Sequence, residues 1–137
     1  MRTMPTDMIE LTRKEGDALW WACDAFFDFC TKLLESDEPE LDPDLLGALV
    51  WAGNALRESL KSAGVDRAIE RFPRSDIGCV RRILGATIDM DDEFLQLPFD
   101  PDQWTSRVQW EQACEQTSRT TTILGELMKQ IRELEAN

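Results

Sequence analysis

The sequence predicts an all-α protein, an antiparallel bundle of three long helices plus one or two short ones, folded as one domain over residues 1–137. Three observations carry that expectation. Apolar residues recur at helical spacing through the first 63 positions. The last third holds a seven-residue repeat: Trp110, Thr117, Leu124 and Ile131, with Ala113, Thr120, Leu127 and Leu134 as the complementary series. No segment shows the two-residue alternation of a strand, and no internal repeat is visible. A chain of this length suits a single core and folds without disulfide or metal staples.

The first long helix is expected from Thr6 to Glu35. Thr6 or Asp7 would cap it, and Glu10 stands three residues after Asp7 in the capping-box relation. Gly16 weakens it and can detach a short first turn. Beyond Gly16, Leu19, Ala22, Cys23, Phe26, Cys30 and Leu33 share one face, with Asp17, Asp24, Asp28, Thr31 and Glu35 opposite. The prolines and acids of Ser36–Asp44 mark a loop. Asp42-Pro43 signals an N-cap with proline at the first helical position. The second helix is placed at Pro43–Ala63, with Leu45, Leu49, Ala52, Leu56, Leu60 and Ala63 as its stripe and Gly64 ending it. A short helix is expected over Val65–Phe72, stopped by Pro73. Another begins at Ser75 or Asp76, with Ile77, Val80, Leu84 and Ile88 as its stripe. Residues 89–102 are expected to form a connector, and Asp100-Pro101 to open a final helix running to Glu135.

Composition narrows the function. There are 27 acids against 15 bases, a net charge of −12, and no histidine or tyrosine. Without histidine, Ser-His-Asp triads, Cys-His nucleophiles, HExxH zinc sites and di-iron ExxH halves cannot form within this chain. No glycine-rich phosphate loop and no G-x-S-x-G occurs. The acidity argues against a dedicated nucleic-acid binder and favours a basic protein partner. Cys23 and Cys30 lie seven residues apart, about 10.5 Å along a helix, too far for a disulfide. With no CxxC pair, the cysteines are expected to be reduced and buried. The N-terminal residues carry no apolar signal region, and no stretch approaches the ~20 apolar residues of a membrane span. A cytoplasmic protein without cofactor or metal is expected.

The candidate site residues are aromatic and acidic. Projection at 100° per residue puts Trp21 among Asp17, Asp24 and Asp28, on the polar side of the first helix. It puts Trp51 opposite Leu49, near Gly47, Asn54 and Glu58, and leaves Trp20 and Phe27 at the apolar boundary. Such tryptophans are either covered by another element of the bundle or grip a partner. Glu35–Asp44 holds six acids and no base, among them Asp37, Glu38, Glu40 and Asp42; Asp89–Asp102 holds six more, including Asp89, Asp91, Asp92 and Glu93. The latter run has D-x-D spacing but lacks the glycine and the bidentate glutamate of a calcium loop. Between them, Arg57–Arg82 carries seven bases and four acids, with Arg67, Arg71, Arg74, Arg81 and Arg82 as a basic patch. That patch can pair with the acids internally or between copies. The expected function is a non-catalytic interaction module binding a basic, even nucleic-acid-binding, protein, of inhibitor, immunity, antitoxin or adaptor type. The alternatives are a self-assembling structural protein, such as a homodimer, or a small subunit of a larger, even nucleoprotein, complex, and a divalent-metal enzyme built on carboxylates.

Overall fold

The structure is a computed structural model and describes residues 2–3, 7–36, 42–63 and 68–136. In chain order the elements are β1 (Arg2–Thr3), β2 (Met8–Glu10), α1 (Arg13–Leu34), α2 (Pro43–Ala63) and β3 (Arg71–Pro73). A 3-10 turn at Arg74–Asp76, α3 (Ile77–Gln96) and α4 (Arg107–Ala136) complete it. The protein is mostly helical, but with four helices of 20 to 30 residues and a small sheet.

The sheet corrects two expectations. Residues 8–10 are not the start of a helix, and 71–72 do not end one. The strands run β1-β2-β3, both pairs antiparallel, with Ile9 opposite Phe72. Ile9 and Phe72 are fully buried while their neighbours face outward, but three residues are too few for alternation to show in sequence. Asp7 sits in the left-handed region (φ 62°), which Asp tolerates better than most residues, and its carbonyl accepts the Arg74 N–H at 3.0 Å.

Helix α1 therefore starts later, at Thr12. The Thr12 hydroxyl accepts the Glu15 N–H and the Glu15 carboxylate accepts the Thr12 N–H, a complete capping box. Gly16 detaches no first turn, since α1 is continuous from Arg13. It sits where α1 meets the segment entering β3: a Cβ there would lie 2.3 Å from the Ile69 carbonyl oxygen. The Ile69 N–H donates to the Gly16 carbonyl at 3.2 Å. Helix α2 matches the expected bounds, because the Asp42 carboxylate accepts the Leu45 N–H at 2.7 Å just before Pro43. Gly64 and residues 65–67 lie outside the described residues.

Helix α3 runs through the acids at 89–93, which were expected in a connector. Nothing breaks it before Pro98, and Leu97 takes the extended conformation that a following proline imposes (ψ 137°). Helix α4 begins at Arg107, not Pro101. Asp100 caps an isolated turn, accepting from Asp102, Gln103 and Trp104, and Ser106 is the true cap, accepting the Gln109 N–H. Of the heptad seam only Leu124, Leu127 and Ile131 are fully buried, joined by neighbouring Met128. These meet Phe26, Leu19 and Cys23 of α1 and Val80, Ile83 and Leu84 of α3 in one core. α1 and α3 each pack on the three other helices, and α2 enters the core through Ala48 and Ala52.

Candidate functional site

On α1, steps of 100° put Asp17, Trp21, Asp24 and Asp28 within a sector of about 60°. The tryptophan in it is 55% exposed, and its ring stands edge-on to Trp20, centroids 5.3 Å apart. Trp20 itself is a core residue, only 5% exposed, and so supports Trp21 from beneath instead of meeting a partner. Asp28 pairs with Lys32 at 3.0 Å, an exposed bond of little energetic weight.

A separate apolar strip lies on the α2 side of α1, about 120° round the helix from Trp21. Phe27 of α1 lies over Gly53 of α2, its ring 3.2 Å from where a Cβ would stand, so a larger residue there would press on that ring. From that contact toward the 35–42 connection, Leu34 follows Phe27 at i+7, and Val50 and Leu46 precede Gly53 at i−3 and i−7. All four side chains are exposed, Val50 at 62%. Single exposed apolar residues mean little, but four along one α1–α2 seam have the composition of a contact surface.

Trp51 is not on that surface. Its ring packs edge-on against Phe72, and its Nε1 donates to Asp76 Oδ2 at 3.0 Å. Trp51 projects away from the apolar stripe, as the sequence indicates, because β3 covers that side of α2. Among the loop acids, Asp37, Glu38 and Glu40 lie outside the described residues. Asp42 is exposed yet occupied, capping α2 with one oxygen and lying 3.7 Å from Arg82 with the other.

The second acidic run is dispersed by the helix that contains it. Asp89, Asp92 and Glu93 are exposed, whereas Asp91 turns toward α4. Its Oδ2 lies 3.1 Å from the Thr121 hydroxyl, which also stands 2.8 Å from the Thr117 carbonyl. One hydroxyl has a single hydrogen for two acceptors. Protonation of Asp91 would let it donate to Thr121, leaving the Thr121 hydrogen for the Thr117 carbonyl. Burial pushes the Asp91 carboxyl up, the Thr121 bond opposes this, and the Asp92 charge adds to it; the net direction is upward. A raised acid contributes stability when protonated and loses it as pH rises through the folded value. Asp91→Asn, whose amide donates at every pH, should therefore be more stable than the native chain at pH 7, by up to about 1 kcal/mol. Urea titrations at several pH values check this: the gap should close as pH falls toward 4.

The basic patch pairs inside the molecule. Arg74 donates to the Leu134 carbonyl at 2.8 Å near the C-terminus of α4, where a cation also suits the helix dipole. Arg81 bonds Glu135 at 2.9 Å, and Arg82 approaches Asp42. Arg71 is exposed on β3, and Arg67 lies outside the described residues. Cys23 and Cys30 are buried; burial, with help from Asp24, pushes the Cys23 thiol up to about 12, so it stays protonated and inert. Cys79 and Cys114 are half-buried thiols instead of fully buried ones. Among the described residues, no three metal-ligating side chains converge, and no helix is long and apolar enough to cross a membrane.

Sequence reasoning missed one aromatic group. Between α3 and α4, Phe94 packs on Trp104, Phe99 on Trp110, and the Arg107 guanidinium covers both Phe99 and Trp110. Their spacing follows no helical period because half of them sit in the connection, and they close the far end of the α3–α4 pair. No protein-family model, no curated protein and no solved structure matches this chain, so its functional reading rests on the geometry of the α1 face and its surroundings.

Proposed function

We propose that the protein is a non-catalytic interaction module, of inhibitor, immunity, antitoxin or adaptor type, that binds a basic protein through the outer face of α1. The observation that carries this reading is Trp21, more than half exposed within a sector holding Asp17, Asp24 and Asp28. Carboxylates attract a cationic partner over several ångströms and set the encounter rate. A tryptophan at the centre of the contact supplies affinity once water is expelled. The chain's net charge of −12 gives the same attraction at longer range.

The separate strip of Phe27, Leu34, Leu46 and Val50 supports a second reading, self-assembly through α1 and α2. Light scattering at micromolar concentration separates the two: a monomer is expected, and a stable dimer lost on Val50→Asp would favour assembly. For the proposed reading, affinity capture with native and Trp21→Ala baits should retain a basic protein on the first alone. With that protein purified, Trp21→Ala should weaken binding roughly 30-fold or more, a hot-spot-sized loss. Asp24→Ser with Asp28→Ser should slow association and flatten its salt dependence. Unchanged affinity in both variants would contradict the proposal.

A further inference from the structure

The edge of the sheet supports a second and independent recognition site. Antiparallel ladders alternate between residues that bond their neighbour strand and residues that turn their backbone groups away. The Leu11 N–H donates to the Glu70 carbonyl at 2.8 Å, and the Arg74 N–H to the Asp7 carbonyl at 3.0 Å. With Ile9 opposite Phe72, residues 70, 72 and 74 therefore bond toward β2, and Arg71 and Pro73 point their backbone groups the other way. Among the described residues, no hydrogen bond reaches the Arg71 N–H, the Arg71 carbonyl or the Pro73 carbonyl.

These groups open into a groove of about 850 Å³ between β3 and α2. Trp51 stands in its wall with its ring held by Phe72 and Asp76, and exposed Asn54 lies one turn further along α2. At its other end the edge is closed, because Ile69 is already bonded to Gly16. Pro73 has no N–H, so the open edge offers one donor and two acceptors. That pattern matches an extended main chain presenting two N–H groups and one carbonyl, spaced about 4.8 Å from β3. Glu58, Glu70 and Asp76 line the groove with one cation, Arg71, a net negative lining, and only one Asp76 oxygen is engaged by Trp51.

We infer that the groove between α2 and β3 binds an extended, cationic peptide segment by adding it as a fourth strand beside β3. The site is separate from the α1 face and does not depend on it. Its contacts are main-chain hydrogen bonds along Arg71–Pro73, a wall formed by Trp51, and charge complementarity with Glu70 and Asp76.

The probe is a capped Lys-Val-Lys-Val-Lys-Val peptide titrated into ¹⁵N-labelled protein. The expected result is a saturable shift of the Arg71 backbone amide and the Trp51 indole, with slower solvent exchange at Arg71. A peptide N-methylated at alternate residues keeps every charge but loses the donors, and should bind at least 10-fold more weakly. Asn54→Trp, at an exposed position, should block the groove without disturbing the fold. Shifts confined to Trp21, an equal response to the N-methylated peptide, or an equal response to a Glu-Val analogue would each overturn the inference.

Discussion

Gly16→Ala is expected to destabilise the protein by about 3 kcal/mol, although the same change usually stabilises a helix. The reason is local. A methyl group at position 16 would stand 2.3 Å from the backbone oxygen of Ile69, and neither backbone can retreat freely. Moving α1 away from Ile69 breaks the Ile69–Gly16 hydrogen bond and disturbs the Thr12–Glu15 capping box one turn earlier. Gly47 and Gly125 supply the control. Both lie in helices with nothing within 4 Å of an added Cβ, so alanine there should stabilise by roughly 0.5–1 kcal/mol through lost unfolded-state freedom. Urea denaturation of the three variants measures this directly, and a loss at position 16 beside gains at 47 and 125 is the expected outcome.

Phe72→Ala should cost about 3–5 kcal/mol, the largest loss expected from the sheet. Phe72 is fully buried and is the ring against which Trp51 packs, centroids 6.1 Å apart. Truncation leaves a cavity beneath Trp51 and loosens its bond to Asp76. Trp51 emission should shift to longer wavelength even where the variant remains folded. Phe72→Leu retains most of the volume and should cost under about 1.5 kcal/mol. The contrast tests whether the small sheet is part of the core or an ornament on it.

Much of the helical part was legible in the residues. The Asp42-Pro43 pair marks the start of α2 because a capping carboxylate followed by proline has one good use in a helical chain. The seam of α4 appears wherever it is buried, from Leu124 onward. The same logic misleads at Asp100-Pro101, where the cap serves a single turn and Ser106 starts the helix. The acids at 89–93 look like a loop by composition, but α3 carries Asp89, Asp92 and Glu93 on its solvated sides and turns Asp91 toward α4, and only Pro98 stops it. The strands were illegible for a physical reason. Segments of two and three residues hold no period, and the β2–β3 pairing joins residues more than sixty positions apart.

The candidate site divides along the same line. Trp21 is legible by projection because, among the described residues, no other element covers that face of α1. Trp51 was placed on the correct side of α2, but its role there follows from β3, which the sequence did not reveal. Arg74, Arg81 and Arg82 form a basic patch in sequence and become internal ties in space, since their partners lie on α4 and before α2. The groove beside β3 was invisible for want of the strand that builds it.

On the proposed reading, the acidic, Trp-bearing face of α1 meets a basic protein. Photo-cross-linking from that face in the native host tests it most directly. A photoreactive residue replacing Asp24 should capture a heterologous protein of basic composition, and the same residue replacing exposed Glu126 on α4 should not. Adducts from position 24 that contain only a second copy of the chain, or an equal yield of the same protein from position 126, would contradict it.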